Sequence, residues 1–390
     1  MEEKNNHTIC SSCGGTLKWN IRKQSFECES CRTPGEIGAS NAPIVEHPLK
    51  KYSTREQSSV SFPEVSSARC LTCGAEINFD QHQTATVCPM CGSSHVDASK
   101  QSAGVPPDAL VPFMLDKADA QERFKKWVKS RWFAPNRLKE SYQQGKLDGM
   151  YLPFWTYDTH SEAHYWGEGG TYVEEEDDEG NTHSHTDWYS VSGYVRKSFN
   201  DIQICASSDQ GQIVVEQILP YSTEEKAAAY SDKYLSGFNA EHYTFDAHEG
   251  FKRAEVKIES ELRDLASSDI CSQGYDTARV NDMDIEHHKV GYKHLLLPAW
   301  LSAFAYKGKQ YVYMINGETG KVGGERPYSI PKIAAAILVG LVLLFAIYNI
   351  FIKEADAAER VYPINQETIT CTVAWEPPAW FETTVMQPAA

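Results

Sequence analysis

Four Cys-x-x-Cys pairs crowd the N-terminal quarter of the chain: Cys10/Cys13, Cys28/Cys31, Cys70/Cys73 and Cys88/Cys91. Within each set 14 residues separate the two pairs, and the second set repeats the first 60 residues later. A knuckle of this kind sets two sulfurs on one turn, and a short hairpin brings the second knuckle to the same tetrahedral ion. The Gly after a knuckle (Gly74, Gly92) suits the backbone turn there. The expectation is two structural zinc ribbons holding two zinc ions, with these eight cysteines as ligands. Binding worth roughly 10–16 kcal/mol would supply the folding energy of such small modules. Four thiolates per ion leave no open position for catalysis. Disulfides or redox pairs are the competing readings, but redox pairs sit on βαβ units, which are missing here. The first thirty residues are polar, with no leader-like apolar stretch. Reduced thiols then place this region in the cytosol.

One segment is unsuited to water. Residues 333–352 read IAAAILVGLVLLFAIYNIFI, 20 residues without a charge. As a helix they reach about 30 Å, the thickness of a bilayer core. Lys332 and Lys353 bracket the run and can snorkel to head groups. A buried core helix is the bland alternative, but such runs are usually shorter. Lys321, Arg326 and Lys332 precede the span while Lys353 and Arg360 follow it, a slight positive-inside bias. Together with the thiols, this predicts a single-pass cell-membrane protein with its N-terminal region cytosolic and a tail outside.

The 390 residues exceed one ordinary core. The expected order is ribbon 1 (1–35), linker (36–69), ribbon 2 (70–97), linker (98–109), body (110–331), membrane helix (332–353) and tail (354–390). Ser, Pro and charge in 36–69 read as flexible coil spanning roughly 35 Å. In the body, 111–116 and 149–158 read as strands and 119–132 as a helix, with Phe124, Trp127, Val128 and Trp132 on one face. DAHEGFKR (246–253) matches DAQERFKK (119–126) at five of eight positions, and LPAW (297–300) echoes LPFW (152–155). A duplicated antiparallel strand–helix–hairpin body of the α+β class follows. Asn316-Gly317 is a hairpin turn signal after alternating Tyr311, Tyr313 and Ile315.

Other motifs carry less. The net charge of −16 opposes a chain-wide nucleic-acid coat. The segment 124–139 has six basic residues and no acid, which suits phosphate or anionic lipid, although its aromatic stripe has core spacing. HSEAH (160–164) resembles a metal-site fragment, but on a strand its histidines stand about 13 Å apart. NTHSHTDW (181–188) reads as a solvated hairpin tip, and EHH (286–288) has no assignable partner. No P-loop, Gly-x-Ser-x-Gly or His-Glu-x-x-His motif is present, so no enzyme is expected.

CPMCGSS (88–94), VPFMLDKADA (111–120), GMYLPFWTYD (149–158), YLSGFNAEHY (234–243) and the run 295–329 resemble bacterial membrane-anchored zinc-ribbon proteins of the TFIIB type. The likeness covers roughly residues 70–332. It implies a cytosolic ribbon head, an α+β body and a membrane anchor. Family members are often encoded beside SPFH or virion-core-like proteins and phage-shock components, which implies a membrane-stress scaffold. Some carry a primosomal helicase label, which the missing P-loop contradicts. The expected role is an adaptor whose ribbons, on a flexible arm, bind a protein partner at the cytosolic membrane face. Residues 1–100 fit it, with ten Lys/Arg against eleven Asp/Glu. The alternative is a membrane-tethered nucleic-acid binder using Lys125, Lys126, Lys129 and Arg131.

Overall fold

The computed structural model describes residues 10–15, 17–35, 43–52, 66–70, 76–79, 96–99, 105–135, 147–176, 182–207, 209–235, 238–306, 309–325 and 328–361. The chain divides into two units, Met1–Ser329 and Ile330–Ala390. The first is mixed α and β. Its strands are β1 (Leu17–Asn20), β2 (Ser25–Cys28), β3 (His47–Pro48), β4 (Ser66–Cys70), β5 (Glu76–Phe79), β6 (Val96–Ser99), β7 (Ala109–Leu110), β8 (Asp148–Glu176), β9 (Thr182–Cys205), β10 (Ala228–Ala229), β11 (Asn239–Glu241), β12 (Thr277–Tyr306), β13 (Lys309–Asn316) and β14 (Val322–Gly324). Its longer helices are α1 (Lys117–Lys129), α2 (Asp209–Glu216) and α3 (Ala247–Ser272), beside the single turn Thr223–Lys226.

The antiparallel pairing of β8 and β12 forms the spine. Leu152 stands opposite Leu297, and the partners step away from that pair symmetrically, Pro153 against Leu296 and Tyr151 against Pro298. The flanking strands obey the same spacing. β11 runs parallel to β8 at Met150 and Tyr151, and β7 runs parallel to β12 at Leu295 and Leu296. β9 joins β8 from Phe154 onward, and β13 joins β12 from Ala299 onward. Proline is normally excluded from central strands because it lacks a ladder donor. Here Pro153 sits in the gap between β11 and β9, and Pro298 in the gap between β7 and β13. Their carbonyls still accept, from Ala206 N at 2.8 Å and Gly317 N at 2.8 Å.

Beyond this hub β9, β8 and β12 continue as a long three-stranded ribbon. Along β8 in this stretch the two faces alternate. Thr159, Ser161, Ala163 and Tyr165 are buried on one face, while Glu162 and Trp166 are exposed on the other. Helix α3 covers the buried face with Ala247, Phe251, Ala254, Ile258, Leu262, Ala266 and Ile270 at helical spacing. Asp246 caps it, accepting from the Glu249 amide at 2.8 Å. Gly250 lets the helix approach Tyr157, whose hydroxyl would collide with any Cβ there. Helix α1 is capped alike by Asp116, which accepts from the Asp119 amide at 2.8 Å.

Several expectations shift. The strand expected at 111–116 is only Ala109–Leu110, because Val111 follows it in bonding β12 without extending a ladder. Phe124 and Val128 are buried, but α1 ends at Lys129 and Trp132 lies 81% exposed beyond it. Within the stretch read as linker, residues 47–52 dock on the body. His47 and Pro48 pair with β12, and Leu49 and Tyr52 are buried, Tyr52 against Trp155 and Tyr292. Two apolar anchors outweigh the polar composition around them. Strands β4, β5 and β6 likewise join the large sheet through β5 and β11. Residues 182–188 of the expected hairpin tip are part of β9. The tail beyond Val361 lies outside the described residues.

The second unit contains α4 (Ile330–Val361). Its Ile330–Asn349 segment has mean hydropathy 2.5, none of it buried, long and apolar enough to cross a membrane.

Removing the fully buried Leu262 side chain (Leu262→Ala) should cost about 2–5 kcal/mol in urea unfolding of the detergent-solubilised protein. Val256→Ala on the same helix, at a position 68% exposed, should change stability by no more than about 0.5 kcal/mol.

Candidate metal centre

Strands β1 and β2 form a hairpin that sets Leu17 opposite Cys28. A knuckle flanks the hairpin on each side. In the first, Gly14 N donates to Cys10 O at 2.8 Å, and in the second Arg32 N donates to Cys28 O at 2.9 Å. The residue after each second cysteine takes the left-handed conformation, Gly14 at φ 73° and Arg32 at φ 59°. Glycine adopts it freely, whereas Arg32 is held there by the second turn.

The hairpin brings the Sγ atoms of Cys10, Cys13, Cys28 and Cys31 within 4.8 Å of one another. Cys10 and Cys31 are 3.6 Å apart and Cys13 and Cys28 are 3.4 Å apart. A tetrahedral zinc with Zn–S near 2.3 Å sets its sulfurs about 3.8 Å apart, so the spacing fits such an ion. The thiols differ in acidity. The Thr33 hydroxyl, then the Thr33 amide, draw the Cys31 thiol down to about 6. The Cys31 amide draws Cys28 down as well. The Gly15 amide also favours the Cys13 thiolate, but the crowding thiols of Cys31 and Cys28 push Cys13 up to about 12. The Sγ atoms of these four cysteines lie close enough together that they can hold a metal ion. Cys73, Cys88 and Cys91 lie outside the described residues, as does the Cys70 side chain, so the expectation of a second site falls outside them.

This ribbon is seated on the body. Trp19 and Phe26 leave its apolar face and meet Tyr234 at ring-centroid distances of 5.0 Å and 4.9 Å. The Trp19 indole donates to Phe113 O at 3.1 Å, and Gln24 Nε2 donates to the same carbonyl at 3.1 Å. Arg22 pairs with Asp116 at 2.6 Å, tying the hairpin tip to the cap of α1. Trp19 and Phe26 thus close a core shared with Phe113, Phe124, Tyr313 and Trp300. The sequence flagged the cysteines but not this contact, since an isolated Trp and Phe in a short hairpin look like the ribbon's own core. The knuckle tips at Ser11, Ser12, Glu29 and Ser30 stay exposed.

The histidine motifs build no second centre. Among the described residues, the cysteine cluster is the one group of three or more such ligands close enough to share an ion. His160 faces His288 across β8 and β12, with ring centroids 6.4 Å apart. His287 turns to the covered face and bonds Ser161 at 2.8 Å. His164 meets Trp166 edge-on at a centroid distance of 4.1 Å and lies tilted against Tyr194 at 4.4 Å.

Those last contacts belong to a feature that sequence reasoning missed. The outer face of the three-stranded ribbon displays Glu162, Glu168, Asp282, Asp284 and Glu286 with Arg196 and Arg279. Five carboxylates against two guanidiniums make it acidic. Trp166 (44% exposed) and Tyr194 (78% exposed) supply apolar area at its centre. The period-two pattern of HSEAHYWGE was the available signal.

A cleft of about 400 Å³ between β9 and α3 is lined by Lys197, Asp201, Lys257 and Glu261. Lys197 pairs with Glu261, and Lys257 with Glu216 at 3.0 Å. The buried Cys205 thiol is pushed well up by desolvation, leaving it inert as a nucleophile.

No protein-family model and no solved structure matches the chain. An uncharacterised protein of Bacillus subtilis (strain 168), YdjG, is 29% identical over 238 residues, 61% of this chain and 69% of that one.

Cys28→Ser should leave the protein with one metal ion per chain fewer than the parent by elemental analysis. Asp116→Ala should cost about 1 kcal/mol through loss of the α1 cap. The bonds to the Asp119 amide and Arg22 hold the Asp116 carboxyl below its usual range. Its contribution is therefore present above about pH 4 and lost as pH falls through the lowered value. In acid titrations of stability, the parent should show this loss and Asp116→Ala should lack it.

Proposed function

We propose that this protein is a membrane-anchored zinc-ribbon adaptor that binds protein partners at the cytosolic membrane face, in membrane-stress or SPFH-type assemblies. The observation that carries the reading is the convergence of four thiols, which fill every position of a tetrahedral ion. Such an ion shapes protein and does no chemistry. The apolar Ile330–Asn349 helix supports the anchor, and the reduced cysteines support a cytosolic side for the ribbons. A second zinc held by Cys70, Cys73, Cys88 and Cys91 extends the reading on their matched spacing.

The partner surface in this reading is the acidic, aromatic outer face of the long ribbon. Its charge fits a basic, extended segment, with rings to pack on Trp166 and Tyr194. The duplication inferred from the sequence belongs to the same reading. Its support is the register about Leu152 and Leu297, where β7 and β11, and β9 and β13, hold matching places.

Proteins co-purifying from membranes with the full chain should be lost at least about tenfold with Trp166→Ala/Tyr194→Ala, while metal content stays at the parental level. An unchanged set of partners would remove this face from the interface. Partners lost only with Cys28→Ser would transfer the role to the ribbon.

A further inference from the structure

The turn that follows α1 is built for a surface other than water. Arg131 N bonds Val128 O at 3.1 Å and Ala134 N bonds Arg131 O at 3.2 Å, so the chain reverses tightly after the helix. Ala134 is buried and pins the turn. That leaves Trp132 81% exposed, Phe133 41% exposed and the neighbouring Tyr328 55% exposed. These rings border a shallow cleft of about 220 Å³ with Arg131. Three large aromatic side chains in one exposed cluster are costly in water.

The place of this cluster along the chain supplies the reason. Ser329 N donates to Phe133 O at 2.8 Å. Ser329 immediately precedes Ile330, where the apolar segment begins. The turn is therefore one hydrogen bond and one peptide bond from the point where the chain becomes apolar enough for lipid. Tryptophan and tyrosine concentrate at that depth of a bilayer, where the ring is desolvated and its polar edge stays wet. The charge agrees. Lys126 and Lys129 lie exposed on the last turn of α1, and Arg131 lies 4.9 Å from the Trp127 ring centroid. Lys126 is paired with Glu122 at 2.8 Å on the helix surface, where such a pair is weak. Basic side chains beside a membrane are drawn to anionic head groups.

We infer that the Ser130–Ala134 turn with Tyr328 is a bilayer foot, inserting Trp132 and Phe133 into the interface of an anionic membrane with Lys129 and Arg131 at its head groups. The inference rests on the reading of Ile330–Asn349 as a span. It gives the body a second attachment, so that the body is held against the lipid instead of swinging on a single tether.

The test uses the full chain in vesicles of phosphatidylcholine and phosphatidylglycerol, with lipids brominated near the top of the acyl chains. Subtracting the emission of Trp132→Phe from that of the parent isolates Trp132. Its emission should be blue-shifted, and brominated lipid should quench it at least about twofold. Lys129→Gln/Arg131→Gln, or pure phosphatidylcholine, should weaken that quenching. Emission open to acrylamide and indifferent to brominated lipid, in vesicles that keep the protein through an alkaline wash, would overturn the foot alone. Release of the protein by that wash would remove the span, and the foot with it. Emission that responds to a single-stranded oligonucleotide in place of lipid would assign the turn to nucleic acid and overturn the inference.

Discussion

The pairing of β8 with β12 is the constraint on which the first unit depends. Around Leu152 and Leu297 every neighbour is fixed by which backbone groups remain unpaired. The prolines at 153 and 298 divide each outer edge into a short docking stretch for a parallel strand and a longer one for an antiparallel strand. Helix α3 then covers one face of the long extension. The other face is left to solvent, where carboxylates and rings are exposed. A sheet of this length with one open face needs polar alternation on that face to stay soluble.

The ribbon and the body depend on each other. A hairpin of two four-residue strands buries too little to fold unaided. Metal among Cys10, Cys13, Cys28 and Cys31 would fix its shape, and that shape aims Trp19 and Phe26 at Tyr234 and Phe113. The body in turn has an aromatic core that these two rings complete. The picture of ribbons swinging on a long arm gives way, for the first ribbon, to one built into the protein. The Arg22–Asp116 pair adds orientation more than energy, because Arg22 is 74% exposed.

Much of this was legible in the residues, and the rest was hidden for identifiable reasons. Cys-x-x-Cys spacing has few physical explanations, so the first cluster could be read directly. The apolar run could be read for the same reason, although the helix starts at Ile330 and extends to Val361. The strands around LPFW and LPAW could be recognised, but their lengths could not. Beyond Asp158 the outer face carries His160, Glu162, His164 and Trp166 and the covered face begins with Thr159, Ser161 and Ala163, so neither set is apolar enough for hydrophobicity alone to mark a strand. Trp132 was misread because helical spacing continues on paper past Lys129, where the helix stops. Tyr52 and Leu49 were hidden because two anchors in a polar stretch do not change its composition.

The central claim is that metal shapes the ribbon and the ribbon completes the body's core. Hydrogen–deuterium exchange of the full chain, before and after metal chelation, tests it most directly. The account predicts that chelation strips protection from residues 17–28 and loosens the strip around Phe113 and Tyr234, while Leu152 and Leu297 keep theirs. A ribbon that stays protected without metal, or a chain that never held any, would contradict it.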